Sequence, residues 1–299
     1  MVIIQMLLER GADIDAQGSG YGNALGAASV KGRRRVVLLL LESGADINGQ
    51  GGEHGGALQV AAASGSKEMV QLLLERGANI HAQTGRYGSA LQAACYKGHK
   101  EVVELLLGRG ADVHAQGGSY GNALQAASAT GQWDVVQLLL DIGVDANVSG
   151  GSYGNALQAA SCWGHLKVMQ LLLERGADVN LKGGCFGNAL QAACYGGHKE
   201  AVQLLLERDA DINAQGGMFA NALQTASCQA DKEMVQLLLE KGADINVQGG
   251  YYGTALQAAS AKGSHYGSAP QAAHAEGNTK VVDLLVQHGA HDVGVSLSQ

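Results

Sequence analysis

"GGSYGNALQAAS" spans Gly117–Ser128 and returns letter for letter at Gly150–Ser161. A glycine-rich loop that opens a helix can cradle a phosphate with its backbone N–H groups, or it can simply shape a turn. Spacing decides between these readings. The aromatic of the motif stands at Tyr21, Tyr87, Tyr120, Tyr153, Phe186, Phe219 and Tyr252, with His54 once in its place, and each step is 33 residues. A P-loop needs Lys-Ser/Thr at the helix start, and a dinucleotide loop needs a preceding buried strand and a later acidic residue. Asn122-Ala123-Leu124 follows here instead. A constant period of this length is the mark of a stacked repeat array, so the glycines are read as turn formers.

Each period carries its own start and stop signals. Asn122 and Asn155 are helix N-caps, and the Ala-rich run after Asn122 closes at Gly131. In "WDVVQLLLDIG", Val135, Val136, Leu138, Leu139 and Leu140 lie on one face at helical spacing, stopped by Gly143. "VDANVSGGSYG" then supplies turn residues that lead into the next period. Neither helix can bury its apolar face alone, so every repeat needs neighbours. Composition agrees: Gly is 45 of 299 residues, Pro 1, aromatics 4%, and the 46% hydrophobic fraction is mostly small, which suits thin layers better than one thick core.

These residues resemble the ankyrin repeat. "GHKEVVELLLGRGADVHAQ" (Gly98–Gln116) and "GHKEAVQLLLERDADINAQ" (Gly197–Gln215) are similar to the second half of its signature. The resemblance covers nearly the whole chain. It implies an all-α fold, a solenoid of stacked helix–turn–helix units with β-hairpin-like fingers, acting as a non-enzymatic protein-interaction module. Where the family has Thr-Pro-Leu-His, this chain has Asn-Ala-Leu-Gln. That variant is similar to the ankyrin arrays of fungal NACHT-type receptors, which implies the recognition part of a larger receptor. The expected organisation is a half repeat at 1–17, seven 33-residue repeats at 18–248, irregular repeats with a 19-residue deletion at 249–292 and a tail at 293–299. Near the end, a second motif copy at Tyr266 and Pro270 predicts helices near 255–262, 269–276 and 279–288.

Other chemistry is excluded in turn. With 20 Lys+Arg against 27 Asp+Glu, nothing favours nucleic acid or an anionic membrane, and no apolar run is long enough to span a bilayer. The five cysteines form no CxxC pair, which predicts a reduced, intracellular, cytoplasmic protein. Cys95/His99 and Cys194/His198 share a spacing, yet the histidines sit in the Gly-His turn and no four-ligand set closes. The aspartates Asp13, Asp46, Asp112, Asp178 and Asp244 follow helix-ending glycines and suit turn hydrogen bonds. No catalytic set, metal site, cofactor or small-molecule substrate is expected. The glutamines Gln92, Gln125, Gln158, Gln191, Gln224 and Gln257 form a column suited to a structural ladder running through the Asn caps.

Positions that differ between repeats are the ones free to recognise a partner. One such column precedes the aromatic (Gly20, Glu53, Arg86, Ser119, Ser152, Cys185, Met218, Tyr251). Another ends the first helix (Lys31, Ser64, Lys97, Thr130, Trp163, Gly196, Gln229). In the family these positions line the concave face, which makes Arg86, Tyr96, Lys97, Trp163, Tyr195, Met218 and Tyr251 the candidate protein-binding patch. Exposed aromatics near an arginine are the usual interface anchors. The motif aromatics themselves are read as structural, packing over the finger glycines.

Overall fold

The computed structural model describes residues 2–18, 20–260 and 271–290, with side chains of the last helix from Asn278 onward. The described residues form seventeen helices and fall into two compact parts. One lies within Met1–Ala146 and Gly150–Ser152, the other within Asn147–Ser149 and Tyr153–Gln299. No described helix is long and apolar enough to cross a membrane.

The N-terminal part opens with a helix at Val2–Glu9 and continues in pairs: Ala24–Val30 with Arg34–Glu42, Ala57–Ala63 with Lys67–Glu75, Ala90–Lys97 with Lys100–Gly108, and Ala123–Ala129 with Trp133–Asp141. The C-terminal part repeats the pattern with Ala156–Cys162 and Leu166–Glu174, Ala189–Gly196 and Lys199–Glu207, Ala222–Cys228 and Lys232–Glu240, then Ala255–Ser260 and Gln271–Gln287.

Local chemistry explains the pairs. The Asn122 side chain accepts from Gln125 N at 2.9 Å, and the Gln125 side chain accepts from Asn122 N at 3.1 Å, a reciprocal cap at the start of the first helix. Within each part, first helices pack on the first helices of neighbouring repeats, and their alanines are essentially without exposure, as at Ala126 and Ala127. The second helix buries its apolar stripe, such as Val135, Val136 and Leu139. Each such leucine contributes about 1.5–3 kcal/mol by burial. The aspartates after the helix ends accept from the N–H two residues on, as Asp112 does from His114 at 2.9 Å, which is the turn role expected for them.

The fingers show why their glycines are needed. Several close through one antiparallel bridge, such as Gly117 with Gly121 and Gly183 with Gly187. Gly118 sits at φ +62°, and a Cβ there would stand 2.5 Å from the carbonyl carbon of Tyr87 in the preceding finger. Close stacking of fingers, not a ligand, excludes side chains at this point.

The glutamine column does link repeats, by a different route from the one expected. Gln92 Nε2 donates to Gly121 O at 2.6 Å and Gly117 O at 3.1 Å, carbonyls of the next finger. Gln125 reaches Gly150 O at 3.0 Å and Gln224 reaches Gly253 O at 2.7 Å. The Asn caps bond within their own repeat, and the amide nitrogen spans the gap because finger carbonyls, not caps, face it.

The two ends differ from the middle. No residue of Val2–Glu9 is buried. Its Leu7 and Leu8 line a groove of about 500 Å³ with Ala24, Ala28, Val36 and Leu40. At the other end one helix, Gln271–Gln287, stands where two were expected. Gly277 costs a helix only about 1 kcal/mol relative to alanine, too little to break one anchored by buried Val281 and Leu285. The motif copy at Tyr266, Pro270 and the tail lie outside the described residues.

Candidate functional site along the finger edge

Variable fingertip residues are tied to one another through the main chain, at positions 53, 86 and 119 in one part and 185, 218 and 251 in the other. Arg86 N donates to Glu53 O at 2.8 Å, and Ser119 N to Arg86 O at 2.8 Å. In the C-terminal part Met218 N donates to Cys185 O, and Tyr251 N to Met218 O, both at 3.0 Å. Such a bond, with the covalent bonds flanking it, leaves equivalent Cα atoms at most about 7 Å apart. Packed helices stand about 8–10 Å apart. The finger edge is therefore the short, inner edge within each part, and its side chains are free to differ because none makes the ladder.

Behind the tips the motif aromatics stack. Ring centroids are 5.9 Å apart for Tyr21–His54 and 5.8 Å for His54–Tyr87. Tyr96, from the end of a first helix, lies 5.3 Å from Tyr87 and 4.5 Å from Tyr120. Tyr195 takes the same place between Phe186 at 4.8 Å and Phe219 at 5.9 Å. Both tyrosines were expected as exposed anchors; they are half-buried members of the stack instead. A hydrogen bond with Tyr120, reinforced by burial, pushes the Tyr96 phenol up to about 12.

The other candidates divide between the two parts. Arg86 is engaged internally: its guanidinium meets Glu53 at 3.0 Å and Tyr120 Oη at 3.4 Å and lies over the Tyr87 ring, and the Tyr120 bond pushes its pKa up. Lys97 is exposed, with its ammonium 5.4 Å from the Tyr96 ring centre. In the C-terminal part Trp163 is 54% exposed, Met218 42% and Tyr251 70%. Trp163 Nε1 donates to Tyr153 Oη at 3.1 Å, which fixes the indole while leaving it accessible. Thr130 of the variable helix-end column serves structure, donating to Tyr96 O at 2.8 Å.

Sequence reasoning missed Glu53, Tyr120 and Tyr153 as partners of these side chains. The signal was present for the first two: Glu53 and Tyr120 stand 33 and 34 residues from Arg86, one repeat away on either side. Beneath the edge, Cys95 and Cys194 are fully buried, and desolvation pushes their thiols up, against nucleophilic use. Among the described residues no three His, Cys, Asp or Glu gather as a metal site.

Comparison with curated proteins gives no match. Among solved structures, the ankyrin repeat domain of human ASB11 is similar, with a TM-score of 0.60 and 24% identity over 79% of this chain and 98% of that one. This likeness speaks to the fold alone. The family model of ankyrin repeats (3 copies) matches residues 27–117, 91–183 and 184–249. The chain therefore belongs to the ankyrin-repeat family, whose members in general bind other proteins and do not catalyse reactions.

Proposed function

We propose that the chain is a non-enzymatic module that binds a protein partner on the concave face, along the finger edge and first-helix ends. The observation that carries this reading is the main-chain ladder of the fingertips: it holds positions 185, 218 and 251 in register without using their side chains. Met218 and Tyr251 on that ladder, and Trp163 beside it, are large apolar side chains left in water, the composition of an interface anchor. Arg86, Tyr96 and Tyr195 shape the face, and Lys97 adds charge at its rim. A net charge of −7 argues for a protein over nucleic acid or an anionic membrane. By resemblance, the context is the sensing portion of a larger receptor inside the cell. Partner capture by wild type and by a Trp163→Ala/Tyr251→Ala double variant tests the reading. The variant is expected to stay folded and to lose the partners; identical partner sets would refute the proposed face.

One observation favours a second reading, a fragment of a longer ankyrin gene with no independent partner. No residue of Val2–Glu9 is fully buried, and the groove beside it is lined by residues of the kind that elsewhere pack between successive helices. An in-frame Ala-Leu-Gln-Ala-Ala segment preceding Met1 in the transcript would support it; a stop codon there would remove it.

A further inference from the structure

We propose that the groove beside Val2–Glu9 is a second docking surface, which receives one short helix of a protein partner, apolar on the face it buries and acidic in its last turn. The surface is separate from the concave face and independent of it. The groove, of about 500 Å³, runs between Val2–Glu9 and Ala24–Val30. Ala24 and Ala27 line it from one helix, Ile4 and Leu8 from the other, and Lys31 and Arg33 border it as well.

The same part of the molecule shows what covers such a face. Ala24 and Ala27 are exposed. Their equivalents one and two repeats on, Ala57 and Val60, then Ala90 and Ala93, are at most 3% exposed, because the first helix of the preceding repeat lies against theirs. Among the described residues, Ala24–Val30 packs on another first helix, Ala57–Ala63, on one side. The occupant of the other side is therefore a helix. The flanking helices of eight and seven residues set its length at about two turns.

Its direction and charge follow from the rim. Lys31 and Arg33 stand at the positions of Thr130 and His99. Thr130 donates to Tyr96 O at 2.8 Å and His99 Nε2 to Ala63 O at 3.1 Å, carbonyls in the last turn of the preceding first helix. An occupant in the same orientation ends at Lys31 and Arg33. An uncharged threonine suffices for such a bond, whereas here both positions are cationic, with Arg34 and Arg35 beside them. At the position of Arg35 other repeats carry Glu68, Glu101, Asp134, Glu200 and Glu233. All four cations are exposed, and none pairs with an acid among the described residues. Asp13, the one acid lining the groove, accepts from Asp15 N in its own loop at 3.1 Å. Complementarity calls for carboxylates at the end of the occupant. This chain's own first helices carry no acid. A second copy, or a further repeat of the same kind, would leave the four cations unanswered, so the charge favours a partner's helix.

The test is fluorescence anisotropy with the full chain and a labelled, blocked peptide, Asn-Ala-Leu-Gln-Ala-Ala-Glu-Glu. The peptide is stapled on its outer face because so short a helix is marginal in water. The control ends in Gln-Gln. The Glu peptide is expected to bind saturably and the Gln peptide roughly fivefold more weakly, the span of one or two exposed ion pairs. In Lys31→Gln/Arg33→Gln the two peptides should bind alike, which assigns the gap to these residues. Ala27→Gln, at an exposed position that leaves the fold intact, fills the groove and should weaken both peptides by roughly tenfold or more. Equal binding of both peptides to the wild type, no saturable binding, or binding unmoved by Ala27→Gln would overturn the inference. So would self-association of the chain that Ala27→Gln removes, which gives the groove to a second copy, or an in-frame first helix ahead of Met1, which fills it from within. Trp163→Ala/Tyr251→Ala should leave peptide binding unchanged, so failure of this groove and failure of the concave face are read separately.

Discussion

Gln125 performs two tasks with one amide: its oxygen accepts from the Asn122 N–H, and its nitrogen donates to the carbonyl of Gly150. The column was legible in the sequence, because an amide every 33 residues has a structural use. The partner was not, because a finger carbonyl is invisible as a letter. Gln125→Leu keeps the volume and strands both groups in the interior. At about 1–3 kcal/mol for each buried orphan, the variant is expected to lose about 2–4 kcal/mol, read as a lower urea midpoint at unchanged slope. Tyr96 and Tyr195 show the opposite limit. As aromatics at first-helix ends they read in the sequence as candidate partner contacts, yet they fill gaps in a ring stack, which no single-repeat comparison can reveal. Trp163, Met218 and Tyr251 read as exposed in both sequence and structure.

Elements carry their strain unevenly. Among the described residues, three that are not glycine have left-handed backbone, Asp209 at φ 63°, Ala220 at 70° and Ala230 at 57°, and each stands where most other repeats place glycine. They fall within 22 consecutive positions, as their numbers give, so one stretch bears all three. A left-handed alanine costs about 1–2 kcal/mol. Ala220→Gly and Ala230→Gly are each expected to stabilise by about 1 kcal/mol, part of the strain relief being offset by the freer unfolded chain. Hydrogen exchange should report the gain in the helices Ala222–Cys228 and Lys232–Glu240, and no change in exchange there would refute the argument. The helix pairs were legible element by element, since caps, apolar stripe and stop glycines agree in nearly every repeat. The single helix at Gln271–Gln287 was not: the pattern breaks there, and a lone glycine reads as a boundary when packing is unknown.

For the molecule as a whole, several acids are held protonated by the fold. Tyr96 and Tyr252 are pushed up to about 12, Tyr96 chiefly by its bond to Tyr120 and Tyr252 chiefly by burial; burial also takes Cys162 to about 12. The unfolded chain releases these protons at its ordinary values, near 10 for tyrosine and 9 for cysteine. The folded state thus binds more protons above those values, and stability falls as pH rises from there toward 12. Denaturant titrations should show this loss, and Tyr96→Phe and Tyr252→Phe together should flatten it; an unchanged slope in the double variant would show that the loss arises elsewhere. The repeat architecture was legible from the period alone. The concave placement of the fingertips was expected only through the family resemblance; the main-chain bonds that tie the tips together could not be read from any residue identity.

The fingertip ladder also has a genetic consequence. Its bonds run between main-chain atoms, so a repeat can be deleted, duplicated or exchanged for a neighbour by recombination without requiring any particular tip side chain. Stretches identical in amino-acid sequence, such as Gly117–Ser128 and Gly150–Ser161, are where such exchange would leave the scaffold unchanged. Crossing-over between them would reorder the residues presented along the edge while returning the same scaffold, so new binding combinations can arise by shuffling before any point mutation is made.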